Sequence, residues 1–267
     1  KLFKKVRPTI VFSLAAKVGG ILANKNYKAD FFKINSLINT YTFEMCKKFN
    51  VKKLVNVGAG CGYPLNIKEP LREEEIWDGF PQSESAPYSL SKKMILVQSI
   101  AYKEQYDLNS ITLIPSNIYG EYDNFDLNES HVIPALIRKF YEAKNLGKKL
   151  YVWGDPKVKR DFIHAKDVAE GLIIAAQRYN KISPLNICMG KQVEIGQIIK
   201  LLKNISGYEK PIIWQKNKPT GQRSRRMSQK NQKKFLPNWS ADIHINQGLK
   251  KTYKWFSENY SSQNIRL

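Results

Sequence analysis

The chain predicts an α/β fold: a doubly wound parallel sheet with a smaller C-terminal α/β domain. Three observations carry this. Short β-branched apolar runs alternate with longer amphipathic stretches, each unit roughly 20 to 35 residues long, the pattern of βαβ units. The apolar runs stop at small residues, as in Gly58-Ala59-Gly60, Gly154 and Gly190. No internal repeat or low-complexity tract interrupts the alternation.

Taken in order, Thr9-Ile10-Val11-Phe12-Ser13-Leu14 reads as a buried strand. Residues 28–49 place Phe31, Ile34, Leu37, Ile38, Tyr41 and Met45 at helical spacing. Lys53-Leu54-Val55-Asn56-Val57 is a strand stopped by Gly58. Residues 61–87, with Pro64, Pro70, Gly79 and Pro81, form a long loop, and a loop of that length inside a compact domain is usually functional. A helix follows over 88–106, with Leu90, Met94, Val97, Ile100 and Ala101 as its apolar face, then a strand over 110–114. His131 to Leu146 is helical, with Pro134 in the first turn. Strands over 150–153 and 161–164, a helix over 167–179, a strand over 185–188, a helix over 193–205, a strand over 211–214 and a helix near 245–259 complete the chain. Residues 1–118 are read as one α/β domain and 119–267 mainly as a second, with a segment near 161–190 returning to the first.

The 267 residues carry 44 Lys+Arg against 23 Asp+Glu, a net charge of +21. Such a charge suits an anionic partner, yet the basic residues are spread, with one dense run from Arg223 to Lys234. Nucleic-acid modules concentrate them, so nucleic acid is not expected as a partner. The polar stretch 216–234 reads as an exposed linker or a basic loop closing over an anion. No apolar run reaches the roughly 18 residues of a membrane span, and no membrane partner is expected. Three widely spaced cysteines, Cys46, Cys61 and Cys188, argue against a disulfide framework or a zinc site and favour a reducing cytoplasm.

Tyr88-Ser89-Leu90-Ser91-Lys92 sets a phenol and an ammonium four residues apart on one helix face. An ammonium beside a phenol favours the phenolate and so lowers the phenol pKa. A Tyr so tuned can exchange a proton with a carbonyl or carbinol oxygen. By itself the spacing is common. Its context adds weight, because ligands of open α/β sheets bind beyond the carboxyl ends of strands, and small residues there let a cofactor approach the backbone. The segment Ala15-Ala16-Lys17-Val18-Gly19-Gly20 fits the same picture, with Gly19-Gly20 opening a loop.

Over nearly its whole length the chain resembles GDP-L-fucose synthases, extended short-chain dehydrogenase/reductases of the epimerase/dehydratase branch. The resemblance rests on Leu14 through Asn24, Cys61 with Tyr63-Pro64, Pro87-Tyr88 with Lys92, and Pro115-Ser116-Asn117-Ile118-Tyr119-Gly120. It continues through Asp123-Asn124-Phe125, Ser130-His131-Val132-Ile133-Pro134-Ala135-Leu136, Val152-Trp153-Gly154 and Arg160-Asp161-Phe162, and weakly to Gly221. It implies a Rossmann-like fold and a homodimer pairing the two long helices. The implied reaction epimerises GDP-4-keto-6-deoxy-D-mannose at C3 and C5, then reduces C4 with NADPH. On this sequence Tyr88 would be the proton donor at the C4 oxygen, Lys92 its partner and a contact of the nicotinamide ribose, and Cys61 and His131 the epimerisation acid/base pair. Val57, Gly58, Ala59, Gly60, Pro115, Ser116, Asn117, Ile118 and His131 would line NADP. Asn117, Lys139, Trp153 and Arg160 would hold the GDP-sugar. His164 and His244, with Cys46 and Cys188, read as structural, and no metal is implied.

The chain departs from the family pattern in several places. The Gly-rich dinucleotide turn is absent from these residues, and the first strand reads as the fourth of the family sheet. With Lys1 rather than Met at position 1, about 55 preceding residues, two βα units, are expected to be missing. The family's catalytic Ser falls at Ala59, so Ser116 or water would have to compensate. Gly62 replaces a bulkier residue and is expected to widen the sugar pocket. A substrate-contacting Asp falls at Thr220, and a family Arg at Lys139. These changes open three alternatives: a C4 reductase on another GDP-deoxy-sugar, one on a GDP-heptose, or a non-catalytic binding homologue.

Overall fold

In a computed structural model, residues 1–215, 222–263 and 265–267 are described. The elements run α1 (Leu2–Val6), β1 (Ile10–Ser13), α2 (Ile21–Asn26), α3 (Lys28–Lys48), β2 (Lys53–Val57), α4 (Ala86–Tyr106), β3 (Ser110–Pro115) and β4 (Asn117–Tyr119). They continue with α5 (Val132–Asn145), β5 (Tyr151–Trp153), β6 (Lys159–His164), α6 (Ala165–Arg178), β7 (Leu185–Ile187), β8 (Gln192–Glu194), α7 (Ile195–Ser206), β9 (Ile213–Gln215), α8 (Lys230–Phe235) and α9 (Ile245–Asn259).

The principal sheet has the order β1-β2-β3-β7, every pair parallel. The middle strands are buried on both faces because helices cover both: all six residues of β3 are buried. Ile111, Leu113, Leu185 and Ile187 lock to Val168, Leu172 and Ala175 of α6 in one core. Each fully buried aliphatic side chain contributes about 1.5–3 kcal/mol. β4, β6 and β8 form a second sheet, and β5 pairs with β9 in a third. A second core gathers Phe140 and Ile137 of α5, Ile198 and Leu202 of α7, and Leu249 and Phe256 of α9.

Helix ends follow local chemistry. Pro87 sits in the first turn of α4, where its missing N–H costs nothing, and the helix stops at Asp107 in a left-handed conformation. α7 stops at Gly207 (φ 63°), a conformation that glycine adopts without strain. His164 caps α6, its Nδ1 accepting from the Lys166 N–H at 3.2 Å, and His244 precedes α9. Cys46 and Cys188 are buried.

Several expectations are revised. The short α1, α2 and α8 and the strands β4 and β8 were not anticipated, because three- to six-residue elements carry too few periods to be read. Gly20 does not open a loop; it precedes α2. On α3 and α4 the apolar stripes are not the buried faces. α3 buries Phe31, Asn35, Asn39, Phe43 and Cys46 while Leu37 is 42% and Tyr41 62% exposed. α4 buries Ser89, Ser91, Lys92, Lys93, Ile95, Leu96 and Ser99 while Val97 is 53% exposed. The two helices pack on each other through small and amide side chains, as where Asn39 Nδ2 donates to the Ser91 carbonyl at 2.7 Å.

Candidate active site

The site begins where β2 runs out. Gly58 crosses β3 so closely that a Cβ there would lie 3.0 Å from Ile114 Cγ1. The chain then makes a 3-10 turn, Gly60–Gly62, which seats Cys61 against α4. A Cβ on Gly62 would meet the Lys93 stem at 3.3 Å, so this glycine admits the buried Lys93 side chain and does not widen the sugar space. Lys93 Nζ in turn donates to the Ile76 carbonyl at 2.7 Å and lies 4.4 Å from the Trp77 ring, tying the long loop to α4.

Tyr88 and Lys92 lie one turn apart on α4. Lys92 is 5% exposed, and burial brings its ammonium down to about 8, opposed by the nearby Cys61. Burial pushes the Tyr88 phenol far above its ordinary range, and Cys61 adds to this. The expected lowering of Tyr88 is thus not met, because desolvation dominates at the phenol. The phenol is a protonated donor at neutral pH. Burial also raises the Cys61 thiol, against the Ser89 hydroxyl and the charges of Arg225 and Lys92. Cys61 is therefore the centre of a cluster, acting on Tyr88, on Lys92 and on Arg225.

His131 stands at the start of α5, where its side chain makes no cap hydrogen bond. It is reached by solvent, yet enough protein surrounds it to disfavour the imidazolium. The residues before it are held by Gly19-Gly20. The Gly20 N–H donates to the Glu129 carbonyl at 2.6 Å, and a Cβ on Gly20 would lie 2.4 Å from the Ser130 carbonyl oxygen. The glycine pair thus serves a close backbone approach that places His131. Phe31 bridges this contact to Tyr88, with ring centroids 6.2 Å apart.

Basic groups come from three segments. Lys139, two turns beyond His131 on α5, lies with Nζ 4.9 Å from the Trp153 ring, and burial lowers its ammonium. Burial brings Arg160 down to about 10; Arg225 adds to this and Glu69 opposes it. Arg225 Nη2 donates to the Gly60 carbonyl at 3.1 Å and Tyr63 at 3.5 Å. Two adjacent guanidiniums, both desolvated by burial, suit a multiply charged anion between them. The sequence reading missed Arg225; its signal was the basic run it belongs to. Thr220 lies outside the described residues.

Of the remaining candidates, Val57, Ala59, Gly60 and Pro115 line the carboxyl ends of β2 and β3. Ser116 is buried with its hydroxyl beside Asp161. Asn117 is exposed and donates from Nδ2 to the Asp161 carbonyl at 2.8 Å, and Ile118 is exposed beside it on β4. Asp161 itself accepts from the Gly190 N–H at 3.0 Å, and burial raises its carboxyl to about 7. Among the described residues no three His, Cys, Asp or Glu side chains gather as a metal site, and no helix is long and apolar enough to cross a membrane.

Known proteins resemble the chain over most of its length. The profile of the NAD dependent epimerase/dehydratase family fits residues 1–196. A GDP-L-fucose synthase of Dictyostelium discoideum is 34% identical over 262 residues, 97% of this chain and 82% of that protein. The structure of a GDP-L-fucose synthetase from Naegleria fowleri bound to NADP superposes with a TM-score of 0.92 at 28% identity, covering 100% of this chain and 82% of that one. A GDP-D-glycero-L-gluco-heptose synthase from Campylobacter jejuni, solved with NADPH, gives 0.87 at 29% identity, covering 96% and 85%.

Proposed function

The chain belongs to the NAD-dependent epimerase/dehydratase family, and from that premise we propose that it is an NADP-dependent GDP-sugar epimerase/reductase of the GDP-L-fucose synthase type. The observation that carries this is the cluster in which the Cys61 thiol, on the turn after β2, acts on both the phenol and the buried ammonium of the α4 helix packed against that turn.

The residues present fit the nicotinamide end of NADP: a buried Lys92 beside Tyr88, facing strand ends made of Gly58, Ala59 and Gly60. When bound, NADPH supplies the reducing equivalent for the C4 ketone. Lys92 holds the ribose, and the protonated Tyr88 delivers a proton to the C4 oxygen. Cys61 and His131 exchange the protons on the carbons flanking the ketone, which the carbonyl acidifies. Arg160 and Arg225 hold the diphosphate, and Lys139 with Trp153 the rest of the nucleotide end. Ala59 offers no hydroxyl to the C4 oxygen, so Tyr88 carries that contact with less help. Loss of one such donor costs about 2.7–4 kcal/mol in related oxyanion sites.

The test is to supply GDP-4-keto-6-deoxy-D-mannose and NADPH in heavy water. The expected product is reduced at C4 and carries deuterium at C3 and C5. Reduction without deuterium identifies a C4 reductase on GDP-sugars, the reading that Ala59 and the heptose synthase resemblance favour second. No NADPH oxidation with either GDP-4-keto-hexose or GDP-4-keto-heptose sinks the assignment.

The exposed apolar stripes of α3 and α4 support a homodimer through these helices, to be checked by sedimentation of Leu37→Asp, which should be monomeric. Residues 1–118 with the segment 161–190 are assigned to the cofactor lobe and most of 119–267 to the substrate lobe. Three unpaired thiols suit the cytoplasm.

A further inference from the structure

Glu69, on the long loop, stands beside the arginines assigned to the diphosphate and has no part in the reaction scheme above. Its Oε2 accepts from Gln192 Nε2 on β8 and from Ser224 Oγ, both at 3.1 Å. Gln192 Nε2 also donates to Ser224 Oγ at 2.7 Å, which closes a ring of three side chains. Oε1 is buried and accepts no hydrogen bond among the described residues. The ring ties together the segments that carry the two arginines. Ser224 precedes Arg225, whose guanidinium donates to the Gly60 carbonyl at 3.1 Å. On the β6–β8 ladder Gln192 pairs with Asp161, which follows Arg160. On the other side of Arg160, the Lys159 N–H donates to the Arg223 carbonyl at 3.0 Å. Each guanidinium feels the carboxylate, which offsets part of the cost of its burial.

An amide oxygen would accept the same two bonds, and a buried carboxylate oxygen without a donor is costly. What a carboxylate adds at this place is therefore its charge. Attraction to a cationic site grows with the charge of the ligand. The diphosphate of a GDP-sugar carries one charge on each phosphate. Free GDP carries a further one near neutral pH, because the second ionisation of a phosphate monoester lies at about 6. A site made of cations alone would thus favour the free nucleotide over the nucleotide sugar. We propose that Glu69 is a specificity-determining residue: its carboxylate, held by Gln192 and Ser224 between the segments that bear Arg160 and Arg225, repels the additional charge of free GDP and so selects the GDP-sugar. The inference rests on the assignment of Arg160 and Arg225 to the diphosphate.

The test is calorimetric titration with GDP and with GDP-mannose, a GDP-hexose that lacks the keto group. Glu69→Gln should tighten both ligands. Its dissociation constant for GDP should fall about tenfold more than that for GDP-mannose, the effect of one ligand charge across a partly screened site. Glu69→Asp keeps the charge while shortening the reach to Gln192 and Ser224, and should keep the parent ratio. The difference between the two ligands should shrink in added salt, as a charge effect does. Unchanged melting temperatures show that the fold is intact. A ratio that stays at the parent value in Glu69→Gln overturns the proposal, as does weaker binding of GDP-mannose, which would make Glu69 a hydrogen-bonding contact of the substrate. A ratio altered as much by Glu69→Asp as by Glu69→Gln traces the effect to the lost hydrogen bonds, not the charge, and overturns it too. A parent protein that binds neither ligand fails at the premise: the diphosphate assignment falls, and the selectivity falls with it.

Discussion

The two walls of the proposed site are built on opposite plans. The wall that bears Cys61, Tyr88 and Lys92 comes from one 3-10 turn and one helix, and its reactive groups perturb each other's protonation. The wall that bears Lys139, Trp153, Arg160 and Arg225 is drawn from α5, β5, β6 and the segment before α8, and its three cations are each disfavoured by burial. Chemistry needs fixed relative geometry, which a rigid helix provides, since α4 sets Tyr88 to Lys92 by its own pitch. Holding a diphosphate needs convergent charge, and loops and strand ends can bring it from anywhere in the sequence. Arg225 joins the two walls, since it touches the turn through the Gly60 carbonyl while facing Arg160.

The largest effect that separates the walls should come from Tyr88→Phe. Turnover should fall about 10²–10⁴-fold, the range for loss of a general acid, with GDP affinity by calorimetry unchanged. Arg160→Ala should do the reverse. Its GDP dissociation constant should rise about 10- to 100-fold, as expected for one charge-assisted hydrogen bond, while single-turnover reduction at saturating substrate stays near the parent rate. Arg225→Ala should fail to separate the walls and lower both quantities; if it alters only GDP affinity, the junction drawn here is wrong.

Protonation sharpens the contrast next. Lys92 titrates at about 8, so its charge is lost as pH rises through that value, and NADPH-dependent turnover should fall above it. GDP binding through the arginines should stay flat to about 9, because Arg160 holds its proton until about 10. The stability sign is the opposite. The unfolded chain keeps the Lys92 proton up to 10.5, so between about 8 and 10.5 the unfolded state binds more protons, and the Lys92 contribution to stability rises with pH. A turnover profile level through pH 9 would remove the charged Lys92 from the mechanism. The smallest effect belongs to Lys139→Arg: a fork in place of a point charge should tighten GDP about two- to fivefold by calorimetry.

Much of the site was legible because it is local. Tyr88 and Lys92 are fixed by helical spacing, and Gly58, Ala59 and Gly60 by their place after an apolar strand. Ser89 was visible in that same run, but nothing in the spacing says that a turn 28 residues earlier will lie against it. The stripes of α3 and α4 misled for a related reason. Periodicity shows that a face is apolar, and packing decides whether it is inside. Here Asn39, Ser91 and Ser99 are buried between the helices because small and amide side chains let the backbones come close, which leaves Leu37, Tyr41 and Val97 outside.

The sequence by itself determined the alternation of strands and helices, the breaks at glycine, and the chemical types gathered at the strand ends, because each is encoded within a few residues. Only the tertiary structure decided the protonation of those groups and their partners. Burial pushed Tyr88 up where a lowering was expected, Gly62 turned out to accommodate Lys93 and not a larger sugar, and Gly19-Gly20 proved to hold the chain ahead of His131. These depend on how much water is excluded and on which backbones meet, quantities set by contacts between residues tens to more than a hundred positions apart.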